Sequence, residues 1–237
     1  MATDKKNILI WFFIVLGSGW FLTSLASCGK GAATTPKGIN IQYHVVNLSP
    51  DLYPVDLFIN NQLADVSPFV FNQDQGYFYL SSLVLPFQIR SAYNTGTTYF
   101  TRNDALQAGA KYTLYIIGAV STHDTTTLLT VDTSTAAPFG TGKLRFVNVS
   151  PSAVGGLDVY ANGTLALKNV AYKQVSSIVT LPVGNYDFQI DGSGTTSVLN
   201  EMQTVTIQDG RLYTLYAYGY TTRADSAAFS AALTINR

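Results

Sequence analysis

Apolar and polar residues alternate in short runs along most of the chain. The runs at 41–48, 55–59, 77–80 and 111–120 put every second side chain on one face, the period of a strand with one buried side. Turn formers separate such runs: Asn60-Asn61, Asn162-Gly163, Val183-Gly184-Asn185 and Asp191-Gly192-Ser193-Gly194. Roughly seven short strands in ~100 residues predict an antiparallel β-sandwich of the immunoglobulin-like kind. The pattern therefore points to an all-β protein.

The pattern also repeats. Val46-Asn47-Leu48-Ser49-Pro50 returns as Val147-Asn148-Val149-Ser150-Pro151, 101 residues on. Phe87-Gln88-Ile89 returns as Phe188-Gln189-Ile190, and the segment 109–115 returns as 210–216, both at the same spacing. Asp56-Leu57-Phe58 matches Asp158-Val159-Tyr160 at 102, which fits one inserted loop residue. Ordered matches at one spacing mean duplication, with units at about 39–135 and 141–237. Each unit carries the pattern L/I-x-x-G-x-x-Y, at 106–112 and at 207–213. This is the signature of a tyrosine corner, in which the phenol bonds upstream backbone, so Tyr112 and Tyr213 are expected to be structural.

The first 27 residues follow a different rule. Lys5 and Lys6 precede an apolar run over 8–22, and Leu25-Ala26-Ser27-Cys28 follows. Charged, apolar and small-residue regions in that order describe a signal peptide. Cys28 is the only cysteine, which excludes an internal disulfide. The four residues ending in Cys28 resemble the lipobox of bacterial lipoproteins. That resemblance implies cleavage after residue 27, an acylated Cys28 as mature N-terminus, and a membrane-held protein. An uncleaved transmembrane helix is the competing reading, since the run nearly reaches the ~20 residues that span a bilayer. Residues 28–38 are small and polar, without periodicity, and read as a flexible tether. Neither the acidic run that marks surface export in some lipoproteins nor the Asp that retains others at the inner membrane follows Cys28, so the expected location is the outer membrane, first on its periplasmic face and alternatively at the cell surface.

Charge removes one class of partner. Lys plus Arg equals Asp plus Glu at 14 each, so no net field would attract nucleic acid. The tryptophans, Trp11 and Trp20, both lie in the leader, which weakens a carbohydrate-binding reading for the processed chain.

Candidate chemistry is sparse. Asp56 and Asp158 recur in both units and suit either calcium or a turn cap. Asp187, Asp191 and Ser193 cluster in a Gly-rich segment, where a hairpin accounts for the same residues. His44 and His123 are the only histidines, too few for a three-ligand zinc site and without a nucleophile motif, so no catalytic residue, metal or cofactor is expected. Tyr77, Tyr79, Tyr93 and Tyr99, with Tyr216, Tyr218 and Tyr220, would serve as core or as aromatic faces for a glycan or protein ligand. For 216–220 the alternation favours core.

With the motifs in hand, both units resemble the bacterial family called domain of unknown function 4397, which opens on V-x-x-A/L-S-P-D and V-D-V/L-Y/F and later shows L-P-x-G-x-Y and G-x-x-Y-T. Segments 46–51, 55–58 and 109–113 carry this in the first unit, and 147–151, 157–160, 181–186 and 210–214 in the second. Ser152 replaces the Asp after Ser-Pro, and Ser81-Ser82-Leu83 stands where the second unit has Pro182-Val183-Gly184. The resemblance implies an exported immunoglobulin-like module and no particular activity. The expected function is thus a non-enzymatic envelope lipoprotein, a two-module binder or spacer, or else a structural subunit of a surface assembly or adhesin.

Overall fold

The computed structural model describes residues 40–236, so Cys28, the leader and the tether lie outside the described residues. The described residues form strands and no helix. In the first half, β1 (Gln42–Asn47), β4 (Phe78–Tyr79), β7 (Lys111–Ile117) and β8 (Thr126–Val131) make a sheet ordered β4-β1-β7-β8. The facing sheet, β3-β2-β5-β6, holds β2 (Val55–Ile59), β3 (Gln62–Leu63), β5 (Phe87–Ser91) and β6 (Thr98–Arg102).

The second half repeats this plan. Here β9 (Thr141–Asn148), β12 (Val179–Pro182), β15 (Leu212–Tyr218) and β16 (Ser230–Ile235) form β12-β9-β15-β16. Opposite lie β10 (Leu157–Ala161), β11 (Thr164–Val170), β13 (Gly184–Gly192) and β14 (Val198–Ile207), ordered β11-β10-β13-β14. Neighbouring strands are antiparallel apart from β1 with β7 and β9 with β15, which run parallel, Val45 opposite Leu114 and Phe146 opposite Leu215. Side-chain period is the same in both kinds of pairing, so the alternation alone did not separate them.

Each sandwich has its own core. Tyr43, Val45, Leu114 and Ile116 meet Leu57 and Ile89 in the first; Leu144, Phe146, Tyr213 and Leu215 meet Val159 and Ile190 in the second. The opposite faces of these inner strands are also covered. Val46, Leu48, Tyr115 and Ile117 of the first unit pack on Val147, Val149, Tyr216 and Tyr218 of the second, forming a third core. All residues of β15 and all but the first of β7 are consequently buried. The stacking order is four layers, with the two parallel-paired sheets in the middle.

This third core is built from equivalent residues. Val46 and Val147, and likewise Tyr115 and Tyr216, are 101 positions apart in the repeat, and the two tyrosine rings meet with centroids 5.4 Å apart. A patch that packs on its own copy is the mark of an isologous contact. The polar end of one inner sheet meets the polar end of the other, so the approximate two-fold axis runs along the strands.

Candidate functional site

The polar end of the interface is a closed ring of hydrogen bonds. Asp132, just past β8, has a fully buried side chain and pairs with the Arg145 guanidinium of the second unit. Its Oδ2 accepts the hydroxyls of Thr113 (2.6 Å) and Tyr77 (2.7 Å), and its Oδ1 accepts Thr130 (2.8 Å). Arg145 Nε donates to Thr214 Oγ1 (2.8 Å), Thr214 donates to Asn236 Oδ1 (2.6 Å), and Asn236 Nδ2 donates to Tyr77 Oη (2.6 Å). Burial, with the Asp132 charge beside it, pushes the Tyr77 phenol well above its usual range. Asp132 therefore accepts four bonds, which is what allows a carboxylate to stay buried. Beside the ring, His44 Nε2 lies 2.7 Å from Asp74 Oδ1, and that bond holds the Asp74 carboxyl below its usual range. Such a saturated arrangement fixes the alignment of two sandwiches.

At the other end lie the Ser-Pro loops, and the conserved-spacing asparagines explain their shape. Asn47 Oδ1 accepts the Ser49 amide and Asn148 Oδ1 accepts the Ser150 amide, both at 3.1 Å. These side chains imitate backbone and close the turn. Asp51 then accepts the amides of Val120 (2.7 Å) and Ser121 (2.8 Å) from the loop after β7. Partial burial raises the Asp51 pKa, but the bonds from Ser121 and Val120 outweigh it and leave the carboxyl low. Ser152 in the second unit accepts the Thr221 amide (2.9 Å) and shares a hydrogen bond with the Ser150 hydroxyl (3.3 Å). Gly118 and Gly219 precede these receiving loops with φ of +83° and +77°, and a Cβ at either would strike the carbonyl of Asp124 or of Ala228.

Each sandwich opens into a cleft at this end. In the first unit Leu52, Tyr99, Phe100, Val120, His123 and Thr125 line about 280 Å³. Tyr53 follows Leu52 in its loop and Tyr93 lies in the turn that leads into β6, and the two form an edge-to-face pair with centroids 5.8 Å apart and exposures of 65% and 76%. The corresponding cleft of the second unit, about 230 Å³, has Ala153, Gly155, Gly156, Ser193, Leu199 and Thr221 in its wall.

The residues singled out by sequence fall into separate places. Asp158 accepts the Asn169 amide (2.6 Å), the Ser193 hydroxyl (2.9 Å) and the Gly194 amide (3.2 Å). Asp187 accepts the Thr204 amide at 2.7 Å, and Asp191 accepts the Gln189 side-chain amide at 2.9 Å. Each carboxylate thus has its own hairpin contact, and among the described residues no group of three or more His, Cys, Asp or Glu is arranged to hold a metal. Asp56 sits beside Asp65, whose carboxyl is pushed up to about 6 by burial and by the Asp56 charge. His44 is buried opposite Thr113, while His123 is exposed beyond the far end of β7 with φ +55°.

The tyrosines divide three ways. Tyr112 Oη accepts the Gln107 amide at 2.8 Å, and Tyr213 Oη accepts the Gln208 amide at 2.9 Å and donates to the Thr206 carbonyl at 3.2 Å. Tyr216 and Tyr218 are buried, but against the other sandwich and not within their own, while Tyr220 lies past β15. Tyr77 is in the polar ring, Tyr79 is exposed, and Tyr93 and Tyr99 flank the first cleft. Asp132, Arg145, Thr214 and Asn236 carried no functional reading in the sequence. A signal was there: Thr113 and Thr214, and His44 and Arg145, are polar residues at matching positions of otherwise apolar strands.

Two sandwiches of one topology, made from a duplicated sequence and packed through their inner sheets, define an all-β tandem immunoglobulin-like protein. The model of the family described as Domain of unknown function (DUF4397) matches residues 42–155 and again 152–234. The chain belongs to that family. Comparison with curated proteins finds no match.

Proposed function

We propose that the chain is a non-enzymatic envelope module, anchored through an acylated Cys28 and presenting the loop end of its double sandwich to a ligand. The supporting observation is polarity of layout: the chain enters β1 at Gln42, at the opposite end from the Ser-Pro loops and both clefts. Gly109, Lys111, Asp132, Leu212 and Asn236 line a smaller hollow of about 190 Å³ near Gln42, but the aromatic-walled cleft is at the Ser-Pro end, which suits display of that end away from a membrane. Labelling of growing cells with an alkynyl fatty acid is expected to mark the protein and to fail for Cys28→Ala. Purified protein is expected to leave polysaccharides and a peptide library uncleaved; turnover of either would overturn the reading.

A structural subunit is the second reading, favoured by β14, a ten-residue strand at the edge of its sheet. Unpaired edge groups of that length offer a template for strand addition. Sedimentation that shows concentration-dependent oligomers would favour it over the first.

A further inference from the structure

We infer that the first-unit cleft binds one neutral pyranose unit, such as the end of a glycan chain. The inference rests on the binding-module reading above and deepens it by naming the ligand class.

Size sets the first limit. At about 280 Å³ the cleft falls just under the ~300–1,000 Å³ typical of ligand pockets, which suits a single ring. Charge sets the second. None of the six lining residues is Asp, Glu, Lys or Arg, and the carboxylates on the same loops are taken: Asp51 by the Val120 and Ser121 amides, Asp124 by the Ala119 amide. The lining itself therefore offers no fixed charge for an ionic ligand to pair with.

The walls then distinguish among neutral ligands. Tyr99 and Phe100 supply partly exposed ring surface, and the exposed Tyr53–Tyr93 pair, outside the lining itself, stands on the loops that adjoin Leu52 and Tyr99, where a ligand that protrudes from the cleft would meet it. Tyrosine gives an apolar face and a hydroxyl on one rigid ring, the complement of a sugar with its C–H face and its hydroxyls. Purely apolar ligands would use only half of this. The imidazole of His123 is exposed in the wall, and Thr125 Oγ1 is buried without a partner. Thr125 is only partly buried, so a χ1 rotation exchanging Oγ1 with the methyl would present that hydroxyl to a ligand. The second cleft lacks this chemistry: Val154 replaces Tyr53 at the 101-residue spacing, and glycines and Ser193 replace the rings.

The test is a titration of the chain from residue 29 onward, which contains all three cores, with methyl β-D-glucopyranoside, methyl α-D-mannopyranoside and N-acetyl-D-glucosamine, followed by saturation-transfer NMR. At least one probe is expected to saturate with a Kd below about 5 mM. Tyr93→Ala and Thr125→Val should each weaken it by about fivefold, while Val154→Ala leaves it unchanged. Tyr93 is largely exposed, so its variant tests binding without endangering the fold. Lack of saturation by all three probes at 50 mM, about tenfold beyond the expected range, would overturn the inference. So would equal binding of cyclohexanol, or indifference to Tyr93→Ala. Release of sugar from a polysaccharide by the same preparation would instead overturn the non-enzymatic reading, and the titration would still report on the cleft.

Discussion

The two copies of the repeat keep the same strands and the same cores yet differ where they face outward and where they face each other. At the loop end the difference is independent: Asp51 grips two amides where Ser152 grips one, and a cleft walled by Tyr99 and Phe100 stands where the other copy has glycines. At the interface the difference is complementary. Equivalent positions hold His44 and Arg145, and Asp132 and Asn236 each follow the last strand of their unit, so one copy supplies the anion and the other the cation. The two copies thus differ independently at the clefts and in a complementary way at the contact. A fused pair of domains is able to make its two halves different, as a symmetric homodimer is not.

Separation of the halves should break the comparison most severely. Residues 39–135 alone would expose Val46, Leu48, Tyr115 and Ile117 to water, and residues 141–237 would expose the matching face. Each piece is expected to aggregate or to dimerise in size-exclusion chromatography, and mixing should restore a soluble one-to-one complex. Monomeric, well-folded halves would show the third core to be dispensable.

Removal of one charge comes next. Arg145→Leu leaves Asp132 buried without its ion-pair partner and should cost about 3–5 kcal/mol in urea denaturation. The double change Arg145→Leu with Asp132→Asn should recover part of that loss, because the uncompensated charge is gone.

A finer comparison uses the corners. Tyr213 makes two hydrogen bonds through its hydroxyl and Tyr112 one, so Tyr213→Phe should cost more than Tyr112→Phe, with each about 0.5–1.5 kcal/mol.

The smallest effect depends on pH. The Asp65 carboxyl is raised from 3.8 to about 6, chiefly by burial and then by Asp56, so the folded state holds that proton more tightly than the unfolded chain. Its stabilising contribution is complete below pH 4 and is lost as pH rises through about 6. Asp65→Asn keeps an acceptor for the Leu57 amide and should therefore gain on the order of 1 kcal/mol at pH 8 relative to pH 4, after discounting for partial exposure. Burial raises the Asp158 carboxyl of the second unit, but the Asn169 and Gly194 amides and the Ser193 hydroxyl leave it low on balance, so Asp158→Asn should show the opposite slope.

Much of the fold was legible because a strand's period and a duplicated register are both one-dimensional. Alternation in 41–48 and 111–120 marks inner strands, and the 101-residue spacing aligns the halves. What the far side of those strands touches is not one-dimensional. Tyr216 and Tyr218 read as core from their spacing, and burial is indeed their state, but the surface that buries them belongs to a partner sandwich 101 residues away. The polar ring was harder still, since Asp132 lies past a strand end and meets Arg145, Tyr77 and Asn236 only in three dimensions. The clefts were partly visible, through Tyr93 and Tyr99, whereas Thr125 and Leu52 had no marker in the sequence.

The parallel pairing of β1 with β7 has a mechanical consequence. Tension applied to the chain ahead of Gln42, against a weight held at the Ser-Pro end, pulls β1 along its own axis. Its ladder to β7, from Gln42 to Asn47, would be sheared with all bonds resisting together, instead of being unzipped one at a time. A strand placed this way would make the first sandwich a clasp that resists rupture under such a load.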